Sequence, residues 1–477
     1  MLGRYRQPLP MSVLLIVSDV DGAALVDSPL ARSLAAQTDP GWTFDTTVTN
    51  PAAIVRVSAS SAIQPGSLAA IRQTFIDHPD VHALIGDALV EDKRQLRAAW
   101  SPTASANDPA TVDLVATRDG IRTGALADRF DVLGSVDIAA VGHLPVALIA
   151  RPEPEKIDDR ARAAVGRLVN GRRTAPPIDA VSVLIPTAGT RRGDGSRLLE
   201  DAIDAARGCG IAAEIVLIVG EEFDGDPHRL EGSDVRIVAR PGPWNFSVAI
   251  NTGLLVAAHD TVVLLNDDIE MIDDGWLSPL LDHLGDPGVS LVGPALLYPD
   301  RTVQHLGIVI DDALPLHTHV GATLDRLPHR LRHPREVAAV TAACAVGRRN
   351  DLMTVGGLNE HLPVNFNDVD LCFKLQRQIG RVIVDPTVPL VHHESASRAP
   401  VIESWEWETF VTRWGEIVDP WYHPGHHRPD DPDDRRRNAD HLPPSEPHGS
   451  WPLRTPTLQP SVHRARLAAP AGESATQ

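Results

Sequence analysis

The chain has 477 residues, enough for two or three domains that each bury a core. It carries 63 Asp+Glu against 44 Lys+Arg, a net charge of −19, which excludes a general nucleic-acid binder with a basic face. Its three cysteines, Cys209, Cys344 and Cys372, fit neither a disulfide framework nor a zinc spacing, and no apolar run approaches the roughly 18 residues of a membrane span. With no signal-peptide core at the N-terminus, the expectation is a soluble, cytoplasmic protein.

Short apolar runs alternate with helical patterns along most of the chain, the mark of an α/β architecture. "SVLLIVSD" (Ser12 to Asp19) and "HALIGDALV" (His82 to Val90) read as strands of a first unit, residues 1–152. The charged, Pro-containing stretch Arg151 to Pro177 reads as a linker, residues 153–178. A second unit, residues 179–424, opens at "VSVLIPT" (Val181 to Thr187), with further strands at Ala213 to Gly220, Asp234 to Arg240 and Asp260 to Asn266. Residues 425–477 hold nine prolines and the run "DDPDDRRR", and are expected to be disordered. Among the histidines of that tail, His426, His427, His441 and His448 lack metal-ligand spacing.

The stretch "TVVLLNDDIEMIDDGW" (Thr261 to Trp276) runs four apolar residues into a knot of acids. A strand that ends there puts Asn266 and Asp268 at the carboxyl edge of a sheet, where α/β proteins place ligands. Hard oxygen ligands at i and i+2 suit Mn2+ or Mg2+, with a nucleoside diphosphate supplying further oxygens. Asp273 and Asp274 read instead as loop acids, one of them capping the next helix. A second acid pair, Asp368 and Asp370, precedes a helix whose Leu371, Cys372 and Leu375 face the core. Asp370 has a cap as its alternative reading, and Asp368 is the candidate general base. "VPLVHHESASR" (Val388 to Arg398) ends a strand with two histidines, either of which suits a third metal ligand.

Taken in order, these segments resemble a family 2 glycosyltransferase of the rhamnosyltransferase-like bacterial surface-polysaccharide group, over residues 180–424. "VSVLIPT" resembles its first nucleotide-binding strand, "PGPWNFSVAINTG" (Pro241 to Gly253) its PGPFNFS-type segment, and "LLNDDIE" its metal motif. "YPDRTVQHLGIVI" (Tyr298 to Ile310) is similar to a mid-domain strand pair and "VTAACAVGRRNDLMTVGGLNE" (Val340 to Glu360) to the acceptor-side segment. "FNDVDLCFKL" resembles the catalytic acid motif, "HHESASR" the closing His motif, and "WGEIVDPWYHP" (Trp414 to Pro424) the C-terminal signature.

The resemblance implies a GT-A fold, Rossmann-like, of the nucleotide-diphospho-sugar transferase class. It implies that Asp268, with Asn266 in support, binds Mn2+ or Mg2+ on the diphosphate of a nucleoside-diphosphate sugar donor. His392, the first of the pair, would complete that site, and Thr187, Asn245 and Asp267 would lie on the nucleotide side. Asp368 would take the proton of the acceptor hydroxyl as it attacks the anomeric carbon, with inversion. The implied acceptor is a glycan or lipid-linked glycan of surface polysaccharide synthesis, and peripheral association with the inner face of the membrane goes with such an acceptor.

Two departures from the family pattern keep a non-catalytic GT-A scaffold in view. Val219 and Gly220 stand where the family's Asp-Asn holds the nucleobase, with Glu221, Glu222 or Asp224 as replacements, and Asn367 stands in place of the first catalytic acid. In the first unit, "HPDVHALIGDALVEDKRQLRAAWSP" (His78 to Pro102) and "VGHLPVALIARPEP" (Val141 to Pro154) resemble the first of two tandem glycosyltransferase domains, with its acid pair shrunk to Asp137. That unit reads as a contracted, catalytically silent GT-A-like domain. Trp407, Phe410, Val411 and Trp414 fall at helical spacing, and core packing is favoured over a membrane face because Glu403, Glu406, Glu408 and Glu416 surround them.

Overall fold

The structure, a computed structural model, describes residues 14–17, 27–37, 42–43, 53–79, 81–90, 93–95, 114–118 and 141–151, then 172–191, 195–224, 226–230, 232–240, 242–311, 314–327, 329–393, 402–415, 419 and 421–422. Most of the linker, Asp137, and the tail with its histidines lie outside the described residues. Two compact units divide the described elements, one up to Arg151 and the other from Ala180 to Tyr422.

The first unit contains β1 (Leu14–Val17), α1 (Pro29–Ala35), β2 (Trp42–Thr43), β3 (Ala53–Val57), β4 (Ala62–Ile63), α2 (Ser67–Asp77), β5 (Ala83–Val90), β6 (Lys93–Gln95), β7 (Leu114–Arg118) and β8 (Val141–Arg151). Its sheet runs β2-β1-β3-β7-β5-β8-β4, with β6 on β5. Ser28 caps α1 by accepting from the Ala31 N–H, and Leu30 and Leu34 of that helix face Leu14, Ile16 and Val55 in one apolar cluster. Within the sheet, His143 Nε2 meets Asp87 Oδ1 at 3.0 Å, with both side chains fully buried.

The second unit contains β9 (Ala180–Thr187), α3 (Leu198–Arg207), β10 (Ala212–Val219), β11 (Val235–Ala239), α4 (Phe246–Val256), β12 (Thr261–Leu265), β13 (Ile269–Met271) and α5 (Leu277–Leu284). It continues through β14 (Val289–Leu297), β15 (Val303–His305), β16 (Ile308–Asp311), β17 (Leu314–His317), β18 (Arg335–Glu336), β19 (Cys344–Arg348), α6 (Arg349–Thr354), α7 (Asn367–Gln378), β20 (Arg381–His392) and α8 (Ser404–Trp414). The main sheet runs β11-β10-β9-β12-β19-β14-β20-β13, and β16 pairs with β17 in a separate hairpin.

The continuous apolar runs of β9, β10 and β12 are explained by burial on both faces. Val181, Val183 and Ile185 join Leu199, Ala202, Ile203 and Ala206 of α3 and Leu277, Leu280, Leu281 and Leu284 of α5 on one side. Leu184, Val262 and Leu264 meet α4, α7 and α8 on the other. Phe410 and Trp414 are buried in that second layer and Trp407 and Val411 pack against it, so the apolar stripe of α8 is core, as its spacing suggests. One expectation is corrected here: α5 begins after Trp276 without any side-chain cap, and Asp273 and Asp274 are exposed turn residues. Among the described residues, no helix is long and apolar enough to cross a membrane.

The pairing directions place one rich edge. β11, β10, β9 and β12 are mutually parallel, so Thr187 and the residues after Leu265 emerge at the same end of the sheet. β19 enters antiparallel beside β12 with Leu265 opposite Cys344, which brings Thr341–Ala343 to that end. β13 pairs with the last residues of β20, setting Ile269 opposite His392.

Candidate active site

At this edge the chain leaves the pleat at Asn266, whose N–H donates to Ala343 O at 2.8 Å. The next two acids then part company. Asp267 Oδ2 accepts from Thr187 Oγ1 at 2.6 Å, and Thr187 Oγ1 in turn accepts from the Gly189 N–H at 2.9 Å. Gly189 has φ +71 and a Cβ there would meet the Phe223 ring, so this turn needs glycine. Burial lifts the Asp267 carboxyl to about 6, against the hydrogen bond from Thr187.

Asp268 turns towards the end of β20, and its Oδ1 lies 3.1 Å from His392 Nε2. Asn266 reaches the same nitrogen, Nδ2 to Nε2 3.5 Å. The other ring nitrogen, Nδ1, is 2.6 Å from Gln304 Oε1 and must donate to it, because that oxygen can only accept. Asn266 Oδ1 and Asp268 Oδ1 are buried without a hydrogen-bond donor. An orphaned Asp268 oxygen beside an imidazole nitrogen with its lone pair turned inward, with the orphaned Asn266 oxygen on the same turn, is a donor set whose chemistry fits Mn2+ or Mg2+. His393, the second of the pair, points elsewhere and meets Glu270 Oε2 at 3.0 Å. With Asp201 it forms another group whose ligand atoms lie within 4.8 Å of one another, but Arg301 also approaches Glu270 there.

Asp368 stands across the Thr341–Ala343 segment from the turn Asn266–Asp268. Its Oδ2 accepts from the Ala342 N–H at 3.4 Å and its Oδ1 from the Val369 N–H at 2.8 Å. The residue keeps a partly exposed face, while protein encloses the carboxyl and burial raises it above the ordinary carboxylate range. The start of its helix is held under strain. Phe366, just before α7, has φ 62 and ψ 0, a conformation costing a non-glycine residue on the order of 1 kcal/mol.

Helix α8 holds that strained entry in place. Phe366 stacks on Phe410 at 4.9 Å, and Glu406 accepts from the N–H groups of Val364 and Asn365 at 3.1 and 2.9 Å. Asp370, for which a cap is one reading, is instead fully buried between Lys374, Arg413 and the indole N–H of Trp414. It is a structural ion pair. Asn367, the departure from an acid, donates to Leu362 O and Val364 O, both at 3.2 Å, which a carboxylate cannot do.

Asn245 lies away from these groups. Its Oδ1 caps α4 by accepting from the Val248 N–H at 3.0 Å, and its Nδ2 donates to Glu360 O at 2.9 Å. The missing nucleobase acid also has a physical counterpart. A Cβ at Gly220 would collide with Arg240 and Glu222, which form an ion pair in that space. Asp224 pairs with Arg191 and Glu222 with Arg240, and Glu221, exposed as both of them are, is the remaining acid after β10. Gln304, Glu406 and the Arg240–Glu222 pair carry no sequence signal of their own: their partners are 18 to 88 residues away.

A parallel half-sheet, an acidic turn after its fourth strand and a buried acid at the start of an opposing helix make up the plan of a GT-A domain. Residues 182–355 match the model of Glycosyl transferase family 2, and the second unit is a family 2 glycosyltransferase domain. The chain is 35% identical over 230 residues to "Uncharacterized protein y4gI" of Sinorhizobium fredii, covering 46% of this chain and 25% of that protein. It is 26% identical over 426 residues to "O-antigen biosynthesis protein RfbC" of Myxococcus xanthus, covering 77% of this chain and 33% of that protein. This chain therefore spans a quarter to a third of the length of these two relatives. Among solved structures it is similar to GalNAc-T7 with UDP, GalNAc and Mn2+, at TM-score 0.39 and 15% identity, covering 49% of this chain and 48% of that one.

Proposed function

We propose that the second unit is an inverting, divalent-metal-dependent glycosyltransferase that moves a sugar from a nucleoside-diphosphate donor to a glycan or lipid-linked glycan in surface polysaccharide synthesis. The observation that carries this reading is the approach of Asp268 Oδ1 to His392 Nε2 at 3.1 Å, with the Asn266 amide at the same nitrogen and the Oδ1 atoms of both residues orphaned, across one short segment from Asp368. A cation held by those three groups would neutralise charge on the departing diphosphate. In this reading Thr187 and Asp267 lie on the nucleotide side, and Asn245 serves by capping the start of α4.

In the reaction, the acceptor oxygen bonds to the anomeric carbon as the bond from that carbon to the diphosphate oxygen breaks. The acceptor proton goes to Asp368, whose raised carboxyl is a stronger base than an ordinary one when ionised. A single displacement inverts the anomeric configuration. The relative named for O-antigen biosynthesis supports the polysaccharide context. A cytoplasmic position, at or near the inner face of the membrane, is where such donors are met.

The second reading is a GT-A scaffold without catalysis, favoured by the Arg240–Glu222 pair filling the space beside Gly220. Calorimetry of the full chain against a panel of nucleoside-diphosphate sugars separates the two. Mn2+-dependent binding of one donor, followed by transfer, is expected for the enzyme. Glycan binding without any donor binding would establish the scaffold.

A further inference from the structure

The segment Tyr298 to Ile310 supplies no reacting group, yet its strand β15 touches both halves of the site. Consecutive residues of a strand point to opposite faces, and here two polar, buried neighbours do so. Gln304 accepts the Nδ1 proton of His392 at 2.6 Å and donates from Nε2 to His392 O at 3.4 Å. That leaves the lone pair of Nε2 facing Asp268 and Asn266. His305 faces the other way. Its Nε2 accepts from the N–H groups of Gly307 at 3.3 Å and Thr341 at 3.4 Å. Backbone donors cannot reverse, so the His305 proton sits on Nδ1, 3.2 Å from His317 Nδ1. His317 must then accept at Nδ1 and carry its own proton on Nε2.

Both connections of His305 lead to the base. Thr341, which it holds, precedes Ala342, whose N–H donates to Asp368 Oδ2. His317 also lies near enough to the Asp368 carboxyl to influence it. Burial, with the positive charge of Arg335 nearby, keeps His305 neutral, well below the ordinary histidine range.

We propose that Gln304 and His305 form a paired positioning element, Gln304 fixing which nitrogen of His392 faces the cation and His305 fixing the Thr341–Ala342 wall and the tautomer of His317 beside Asp368. This rests on the reading that His392 serves the donor and Asp368 the acceptor. Neither residue touches a reacting atom. The pair predicts a split that packing alone would not give: adjacent substitutions should damage different steps.

The test uses the full chain. Mn2+ affinity is followed by electron paramagnetic resonance with UDP or GDP present. Gln304→Leu should weaken it about ten- to a hundredfold, the usual effect of removing an outer partner of a metal-bound histidine. Gln304→Glu accepts the same proton and should restore it. His305→Gln should leave Mn2+ affinity unchanged and lower kcat with the donor KM unmoved. Nitrogen-15 resonances of wild-type histidines above pH 8 should show Nδ1–H at His392 and His305 and Nε2–H at His317, a readout needing neither a variant that folds nor a working donor. Equal weakening by Gln304→Leu and Gln304→Glu, or an Nε2–H tautomer at His392 or His305, overturns the proposal. The predicted tautomers and the Glu rescue in a protein that transfers no sugar would sustain the positioning element while removing the transferase reading.

Discussion

The two sheets of this chain share one plan. In chain order, β1, β2, β3, β4, β5, β6, β7 and β8 occupy the places of β9, β10, β12, β13, β14, β15, β19 and β20, with the same pairing direction at every shared step: parallel, parallel, antiparallel, antiparallel, parallel, antiparallel. The second sheet adds β11 at its edge and β18 on β20. Even the register irregularity recurs, between Gly86 and Ala88 in one and between Pro294 and Ala295 in the other. What differs is the edge. The last pair of β3 and β7 is Val57 with Leu114, matching Leu265 with Cys344, so the turn Ser58-Ala59-Ser60 stands where Asn266-Asp267-Asp268 stands. Ala150, opposite the first residue of β4, stands where His392 does.

The comparison separates what holds the fold from what performs chemistry. A sheet buried on both faces needs apolar residues in continuous runs, and both units have them. The carboxylates and the histidine contribute nothing to that burial and cost desolvation. They persist in the second unit against that cost, and small neutral residues fill the same turn in the first.

The largest expected effect tests that contrast directly. Asp268→Ala should abolish Mn2+-dependent binding of a nucleoside diphosphate while the protein stays folded, whereas Ser60→Ala should leave binding unchanged. Titration of both variants beside wild type is the measurement. Unchanged affinity in Asp268→Ala would reduce the acidic turn of the second unit to the same standing as the serine turn of the first.

Next in size is the effect at the proposed base. Asp368→Asn keeps one accepting oxygen but takes no proton at neutral pH, so transfer should fall at least about a hundredfold with donor affinity retained. The pair of measurements is a donor titration and a transfer rate. Near-normal transfer would remove the assignment, and a matching loss of donor affinity would move Asp368 to the metal side.

How far the sequence could take this is visible in the same residues. The strands β9, β10, β11 and β12 of the second unit, and the position of Asn266 and Asp268 at their carboxyl edge, were legible because strand periodicity and the carboxyl-edge rule are local signals. The choice of His392 over His393 came from family resemblance, and the geometry that distinguishes them depends on Gln304, 88 residues away. The roles of Asp370 and Asn367 were not legible. Both are set by partners brought by a later helix or a preceding loop, and sequence spacing carries no record of either contact.

A smaller effect concerns stability and pH. Burial pushes Asp419 up to about 7, although its carboxylate accepts from the N–H groups of Ile310 and Trp421 at 3.0 and 2.8 Å. The folded state thus holds a proton that the unfolded chain, near the ordinary value of about 4, releases earlier. Stability from this group is fully present below about pH 4 and is lost as pH rises through about 7. Asp419→Asn should flatten that slope for the second unit by on the order of a few degrees in Tm between pH 5 and 8. Only the slope is predicted, because the amide's NH2 replaces one accepting oxygen. Calorimetry that resolves the two units supplies the control, since the first unit's transition should not move.

The smallest expected effect is none at all. If the first unit keeps the sheet plan but not the edge chemistry, a fragment of residues 176–424 should bind nucleotide as the whole chain does, because Thr187, Asn266, Asp267, Asp268 and His392 all lie inside it. The second unit's core is closed by its own helices, with Phe410 and Trp414 buried against α7, so the fragment has what it needs to fold. Equal Mn2+-dependent affinity in the fragment and the full chain, measured by the same calorimetry, is the expected result. A soluble, folded fragment that has lost binding would mean that the first unit supplies part of the nucleotide site, and the serine turn would then have to be re-examined as something other than a silent copy of the acidic one.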